Sequence, residues 1–162
     1  MAYQVTDARI GSQPIADTST TQLHPLGTIV RANDPTYGEG EFIYLLGVVS
    51  TVVGSPVNYN PTTHQTALAP AGSNIPESIA FAMSANVASQ YGWYQIGGLT
   101  VAAKSTGAMT VGTAVGISTA GFINATATGK EVSGAVVAAT VTAAETTVQL
   151  QINRPHMQGR IT

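Results

Sequence analysis

Between Glu41 and Lys130 this chain carries only two charged side chains, Glu77 and Lys104. The stretch is built from Val, Thr, Ala, Gly and Ile, with one aromatic knot, Tyr91-Gly92-Trp93-Tyr94, near its middle. β-Branched residues fit a pleated, half-buried surface and need no charge to do so. Catalysis, by contrast, gathers titratable groups or metal ligands in one place. The expectation is a β-rich structural or binding module and not an enzyme.

Composition sharpens this. Charged residues make up 9% of the 162, far below the roughly 25% of an ordinary soluble domain, whereas the 44% hydrophobic share is that of a packed core. Such a surface stays in solution through Thr, Ser, Asn and Gln, or by being covered by partners, and the second route makes assembly the natural expectation. A net charge of −2 supplies no basic stripe for nucleic acid. The absence of cysteine excludes disulfides and thiolate metal sites. Residues 1–7 lack the basic start and apolar run of a secretory leader. The most apolar window, 42–53, falls short of the roughly 20 residues a membrane helix needs. The chain reads as a soluble protein made in the cytoplasm, with no membrane or nucleic-acid partner.

Residues 1–27 are polar and without sustained periodicity, running through Gly11-Ser12-Gln13-Pro14, Asp17-Thr18-Ser19-Thr20-Thr21 and His24-Pro25. They read as an extended arm, either a loose terminus or a segment that orders on a neighbouring subunit. A single β domain is expected over 28–153 and a polar, Pro- and Gly-broken tail over 154–162. Within the domain, strand signals recur at 28–31, 41–46, 48–53, 57–60, 91–96 and 99–103. A turn is read at 33–38, a bulge or bend at Gly47, a loop over 61–76 and a turn at Gly97-Gly98. Residues 78–83 set Ile79, Phe81 and Met83 against small neighbours, the period of a strand. A helix over 76–91, capped by Asn74 and ended by Gly92, is the competing reading. The last third repeats short strands at 111–117, 121–124, 134–142 and 147–152 with tight links. The whole predicts an all-β sandwich or jelly-roll-like barrel of short antiparallel strands.

Chemistry-bearing motifs are scarce. His24, His64 and His156 lie far apart, without the close spacing of a metal site. Glu39 and Glu41 flank Gly40 at a strand mouth, where a solvated or cation-paired edge accounts for them. No G-x-S-x-G elbow and no G-K-[ST] phosphate loop occurs. No catalytic residue, cofactor or metal ligand is therefore expected. The aromatic knot has two readings: Trp93 as a core or subunit-interface anchor, or Tyr91, Trp93 and Tyr94 as a stacking platform for a ligand.

Several stretches resemble the head decoration, or cement, proteins of tailed bacteriophages. They are Asp17-Thr18-Ser19-Thr20-Thr21 with His24-Pro25-Leu26-Gly27-Thr28, and Tyr37-Gly38-Glu39-Gly40-Glu41-Phe42-Ile43-Tyr44-Leu45. Further on come Ala82-Met83-Ser84-Ala85-Asn86-Val87-Ala88 leading into Gln90-Tyr91-Gly92-Trp93-Tyr94-Gln95, and Ile152-Asn153-Arg154-Pro155. The resemblance spans most of the chain, and none of its motifs carries chemistry. It implies a mostly-β virion protein on the outer capsid surface that clamps neighbouring copies of the major capsid protein around packaged DNA. It further implies self-association as a dimer or trimer. On this reading the subunit or capsid interface includes Tyr91, Trp93, Tyr94, Arg154 and Arg160. The alternative is a virion-displayed receptor- or glycan-binding module of a head fibre or tail, carried by Tyr91, Trp93 and Tyr94. A hydrolase ranks behind both.

Overall fold

The computed structural model describes residues 4–5, with the backbone alone at Val5, and 13–159. Expectations falling on the rest lie outside the described residues, among them most of the first dozen residues of the arm and Arg160. Strands and isolated bridges take up 51% of the described residues, and no helix occurs among them. In chain order they are β1 (Gln4–Val5), β2 (Thr18–Ser19), β3 (Ile29–Asp34), β4 (Gly38–Leu46), β5 (Pro56–Tyr59) and β6 (Thr66–Leu68). There follow β7 (Ile79–Ala82), β8 (Tyr91–Ala103), β9 (Ala114–Thr119), β10 (Phe122–Ala125), β11 (Glu131–Val137) and β12 (Thr147–Met157). All of their ladders are antiparallel.

The spine is β8. One of its edges pairs with β4, while the other takes β2 at residues 91–92, β7 at 94–95 and β12 at 97–103 in turn. From that forked edge the sheet runs two ways, through β7, β5 and β6 and through β12, β11, β9 and β10. Both branches curl back. Thr66 Oγ1 donates to the Leu46 carbonyl at 2.8 Å, and a parallel bridge joins Leu46 to Gln65, so β6 returns to the end of β4. A second parallel bridge, Lys104 to Ile123, brings β10 to the end of β8. The expected all-β architecture thus takes the form of a curled antiparallel sheet with two half-barrels sharing one long strand.

Side-chain alternation assigns the cores. Leu45, Val57, Ala80, Ala82 and Tyr94 fill the first curl. Val115, Ile117, Val148 and Leu150 fill the second, together with Ile79 and Phe81. Strand β7 is the partition between them, its alanines on one side and its large residues on the other. The expected period of two over 79–82 is therefore correct, and both faces are buried.

Several local expectations change. Residues 48–53 form turns and not a strand: Thr51 Oγ1 bonds the Val48 carbonyl at 2.8 Å, and Ser50 adopts φ 65°. The chain is then pinned at Gly54, whose N–H donates to Ala82 O at 2.7 Å and whose carbonyl accepts from Ala103 N–H at 2.8 Å. A Cβ there would lie 2.6 Å from the Val101 carbonyl, so only glycine fits. Gly97-Gly98 is a bulge inside one continuous strand, since Glu41 pairs with Gly97 and Phe42 with Gln95, leaving Ile96 extra. The loop over 61–76 contains β6. Where a tail was expected from residue 154, β12 continues to Met157. Pro155 is tolerated because it sits in the bulge between the Ala135–Ile152 and Ser133–His156 pairs, where no ladder N–H is needed.

Candidate functional site

The aromatic knot lies where β8 runs between β4 and the arm. Register places Trp93 opposite Tyr44 and Tyr94 opposite Ile43. Successive residues point to opposite faces, so Trp93 joins Val30, Phe42 and Tyr44 on the outer face while Tyr94 enters the first curl. Both are 0% exposed. Both are core residues, which agrees with the core reading of Trp93 and corrects the expectation of an interface or stacking platform at Trp93 and Tyr94. Tyr91 is half-buried and stacks on Tyr44 with ring centroids 6.4 Å apart.

What covers Trp93 is the arm. Residues 13–27 lie along the outer face of β4 and β8, with β2 adding a two-residue ladder and Ile15 buried at 2% exposure. Gln13, itself 5% exposed, is the hub. Its carbonyl accepts from Trp93 Nε1 at 2.9 Å, its Oε1 accepts from the Tyr44 hydroxyl at 3.0 Å, and its Nε2 donates to the Asp17 carbonyl at 2.6 Å. The Tyr44 hydroxyl also accepts from Leu23 N–H at 3.3 Å. Burial raises the Tyr44 pKa above its ordinary value, with the Leu23 bond acting against it and the Tyr91 hydroxyl with it. The described part of the arm is thus seated on its own chain. That outcome is neither the loose terminus nor the neighbour-dependent segment considered from sequence.

On the inner face, burial pushes the Tyr94 phenol up to about 12, with Thr66 and Asn86 hydrogen bonds acting against it. Asn86 is 0% exposed and satisfied when its amide oxygen accepts from the Tyr94 hydroxyl at 3.0 Å and Gly92 N–H at 3.1 Å. In that orientation its Nδ2 donates to the Gln90 carbonyl at 3.2 Å.

Four charged residues, Arg31, Glu39, Glu41 and Arg154, collect on one strip. Arg31 on β3 sits 3.6 Å from Glu39 and 3.5 Å from Glu41, and Arg154 on β12 reaches Glu41 at 3.1 Å. They border an open groove of about 470 Å³ floored by Gly97, Gly98 and Asn153. Arg154 adopts φ 41° in the β12 bulge, a conformation that costs a side-chain-bearing residue on the order of 1–3 kcal/mol. Its side chain is 61% exposed, and its partner here is the intramolecular Glu41. The two lone charges of the neutral stretch tie the fold together. Glu77 accepts from the Asn58 amide beside β5, and Lys104 is 2% exposed with Nζ donating to the Gly107 carbonyl at 2.8 Å.

A surface that the sequence reading missed stands at the end of β4. Val49, Val52 and Val53 are 60%, 44% and 53% exposed, and Val87 of the adjoining loop is 40% exposed. The two loops meet where Gly47 N–H donates to the Gln90 carbonyl at 2.8 Å. The signal was present as a Val run punctuated by Gly47, Ser50-Thr51 and Gly54, but strand propensity claimed it. Among the described residues no group of three His, Asp or Glu side chains is arranged to hold a metal ion. Neither a protein-family model nor a curated protein matches the chain.

Proposed function

We propose that the chain is a non-enzymatic virion structural protein that decorates the outer surface of a tailed-phage head, made in the host cytoplasm and bound there to the major capsid protein. Two neighbouring loops that present bare valines from a rigid, charge-poor sheet are the observation that carries this reading. Isolated exposed apolar residues are ordinary, but a cluster of this kind marks a surface that partners cover. The resemblance of residues 17–45, 82–95 and 152–155 to head decoration proteins points the same way. In this reading the valine loops seat against capsid protein, the exposed Arg31–Glu41–Arg154 strip fixes orientation through directional ion pairs, and copies associate as a dimer or trimer. The glycan-binding reading loses two of its three stacking rings, because Trp93 and Tyr94 are enclosed.

The test adds purified protein to phage heads lacking it. Co-sedimentation and a higher temperature of DNA release are expected, both weakened by Val52→Asp and Val53→Asp together. Heads that neither bind the protein nor change in stability would refute the proposal.

A further inference from the structure

One hydrogen bond that seats the arm works in only one protonation state. The Gln13 backbone N–H donates to Nε2 of His24 at 3.2 Å. An imidazole nitrogen accepts only when it carries no proton. The ring cannot turn aside freely, being packed edge-on to Tyr44 at 5.1 Å between centroids and tilted against Trp93 at 5.3 Å. The bond therefore joins an ionisable side chain to the hub residue that holds the cover over Trp93.

We propose that His24 is an acid-released latch: its protonation unseats residues 13–26 from β4 and β8 and opens the Trp93 face while the sheet stays folded. Protonated Nε2 sets a donor against the Gln13 donor. The neighbouring rings attract a cation, but that gain is weaker at a half-exposed site than the loss of a buried amide's acceptor. Loosening Gln13 also loosens the Trp93 Nε1 and Tyr44 hydroxyl bonds that it accepts. Among the groups facing the ring are the Tyr44 phenol from β4 and Trp93 from β8, with Tyr91 behind Tyr44. Asp17 is the one acid among residues 13–27. A second imidazole, His64, packs against Gly27, where an added Cβ would lie 2.3 Å from its Nε2. It touches the arm's far end, past the Gln13 hub, and serves as the control. No sheet ladder other than the two-residue β2 pairing has to break for the arm to leave.

Trp93 is the only tryptophan, so the protein carries its own reporter. Emission and acrylamide quenching of the full chain are followed from pH 8 to 5 beside far-UV circular dichroism. The expected result is a red shift and a quenching constant raised about twofold or more as pH falls from 8 to 5, with the far-UV signal unchanged. His24→Gln keeps an acceptor without a titrating group and should stay blue-shifted at pH 5, whereas His64→Gln should titrate like the parent. A parent protein whose emission and quenching ignore pH overturns the proposal, as does a far-UV loss that tracks the red shift. His24→Gln titrating like the parent overturns it too. If His24→Gln does not fold, NMR of the parent decides: the His24 ring and the Trp93 indole N–H must titrate with one midpoint, and separate midpoints overturn the latch.

Discussion

The two faces of the β4–β8 pair are both buried, yet they are held in different ways. The inner face packs Ile43, Leu45, Tyr94 and Ile96 against β5 and β7, elements tied in by their own ladders. The outer face packs Phe42, Tyr44 and Trp93 under the arm, whose contacts are mostly side-chain bonds through Gln13 and His24. Burial on the inner face is inseparable from the global fold. Burial on the outer face depends on a cover attached through few ladder bonds, and such segments open at lower free energy than the core.

The largest effect should come from Leu45→Ala on the inner face, where Leu45 is 0% exposed. Its loss should cost about 2–5 kcal/mol and lower the denaturant midpoint by every probe together. A cost near that of a surface substitution would show that the first curl can collapse around the gap, and the contrast between the faces would fail.

Next comes alkaline pH, which should act on the inner face. Tyr94, raised to about 12, holds its proton longer folded than unfolded. Its contribution is whole below about pH 10, its ordinary value, and drains as pH climbs from there toward about 12. For one proton the slope is at most about 1.4 kcal/mol per pH unit. Tyr44 is raised too and works in the same direction, so Tyr94→Phe should flatten the decline in unfolding free energy without abolishing it. An identical alkaline slope in Tyr94→Phe would remove Tyr94 from the account.

The smallest effect on the fold should be Gln13→Ala. It deletes the acceptor for the Tyr44 hydroxyl and the donor to Asp17 O, about 1–3 kcal/mol in all, but the loss falls on the arm. Trp93 emission should shift to the red at neutral pH while the denaturant midpoint followed by far-UV circular dichroism barely moves. If both probes shift equally, the arm belongs to the cooperative core and the two faces do not differ.

How much of this the sequence revealed follows from the range over which each signal acts. The neutral Val/Thr/Ala stretch and the alternation at Ile79-Ala80-Phe81-Ala82 are local; the first led to the all-β class and the second to the right strand. The Asn33–Gly38 turn was equally readable: Asp34 Oδ1 accepts from Thr36 and Tyr37 N–H at 2.7 and 3.0 Å, and Gly38 supplies φ +73°. Gly97-Gly98 misled because a positive-φ glycine serves a bulge as well as a turn. Gly98, at φ +95°, would place a Cβ 2.4 Å from the Glu39 carbonyl of the neighbouring strand, a constraint invisible without the pairing. Residues 48–53 misled because β propensity describes a fit to a sheet surface, and no edge was there to receive them. The site was least legible. Gln13 and Trp93 are 80 residues apart, and no periodicity in a polar arm announces the contact. The burial of Trp93 as an anchor was foreseen from its rarity, but the exposed role for Tyr94 was not supported.

The place of β12 has a consequence for how the chain is made. It lies hydrogen-bonded between β8 and β11, so the facing edges of those two strands have no ladder partner until residues 147–157 arrive. A chain emerging from the ribosome can lay down β3 to β8, and later β9 to β11, joined by the Lys104–Ile123 bridge and by loop bonds such as Gly121 N–H to Ala69 O and Asn74 N–H to Gly129 O. Through that interval β8 and β11 each display an unfilled row of backbone donors and acceptors, which another nascent copy could fill in error. Insertion of one eleven-residue strand then seals both rows at once. Synthesis interrupted before Thr147 should therefore yield aggregating product and not a smaller folded domain.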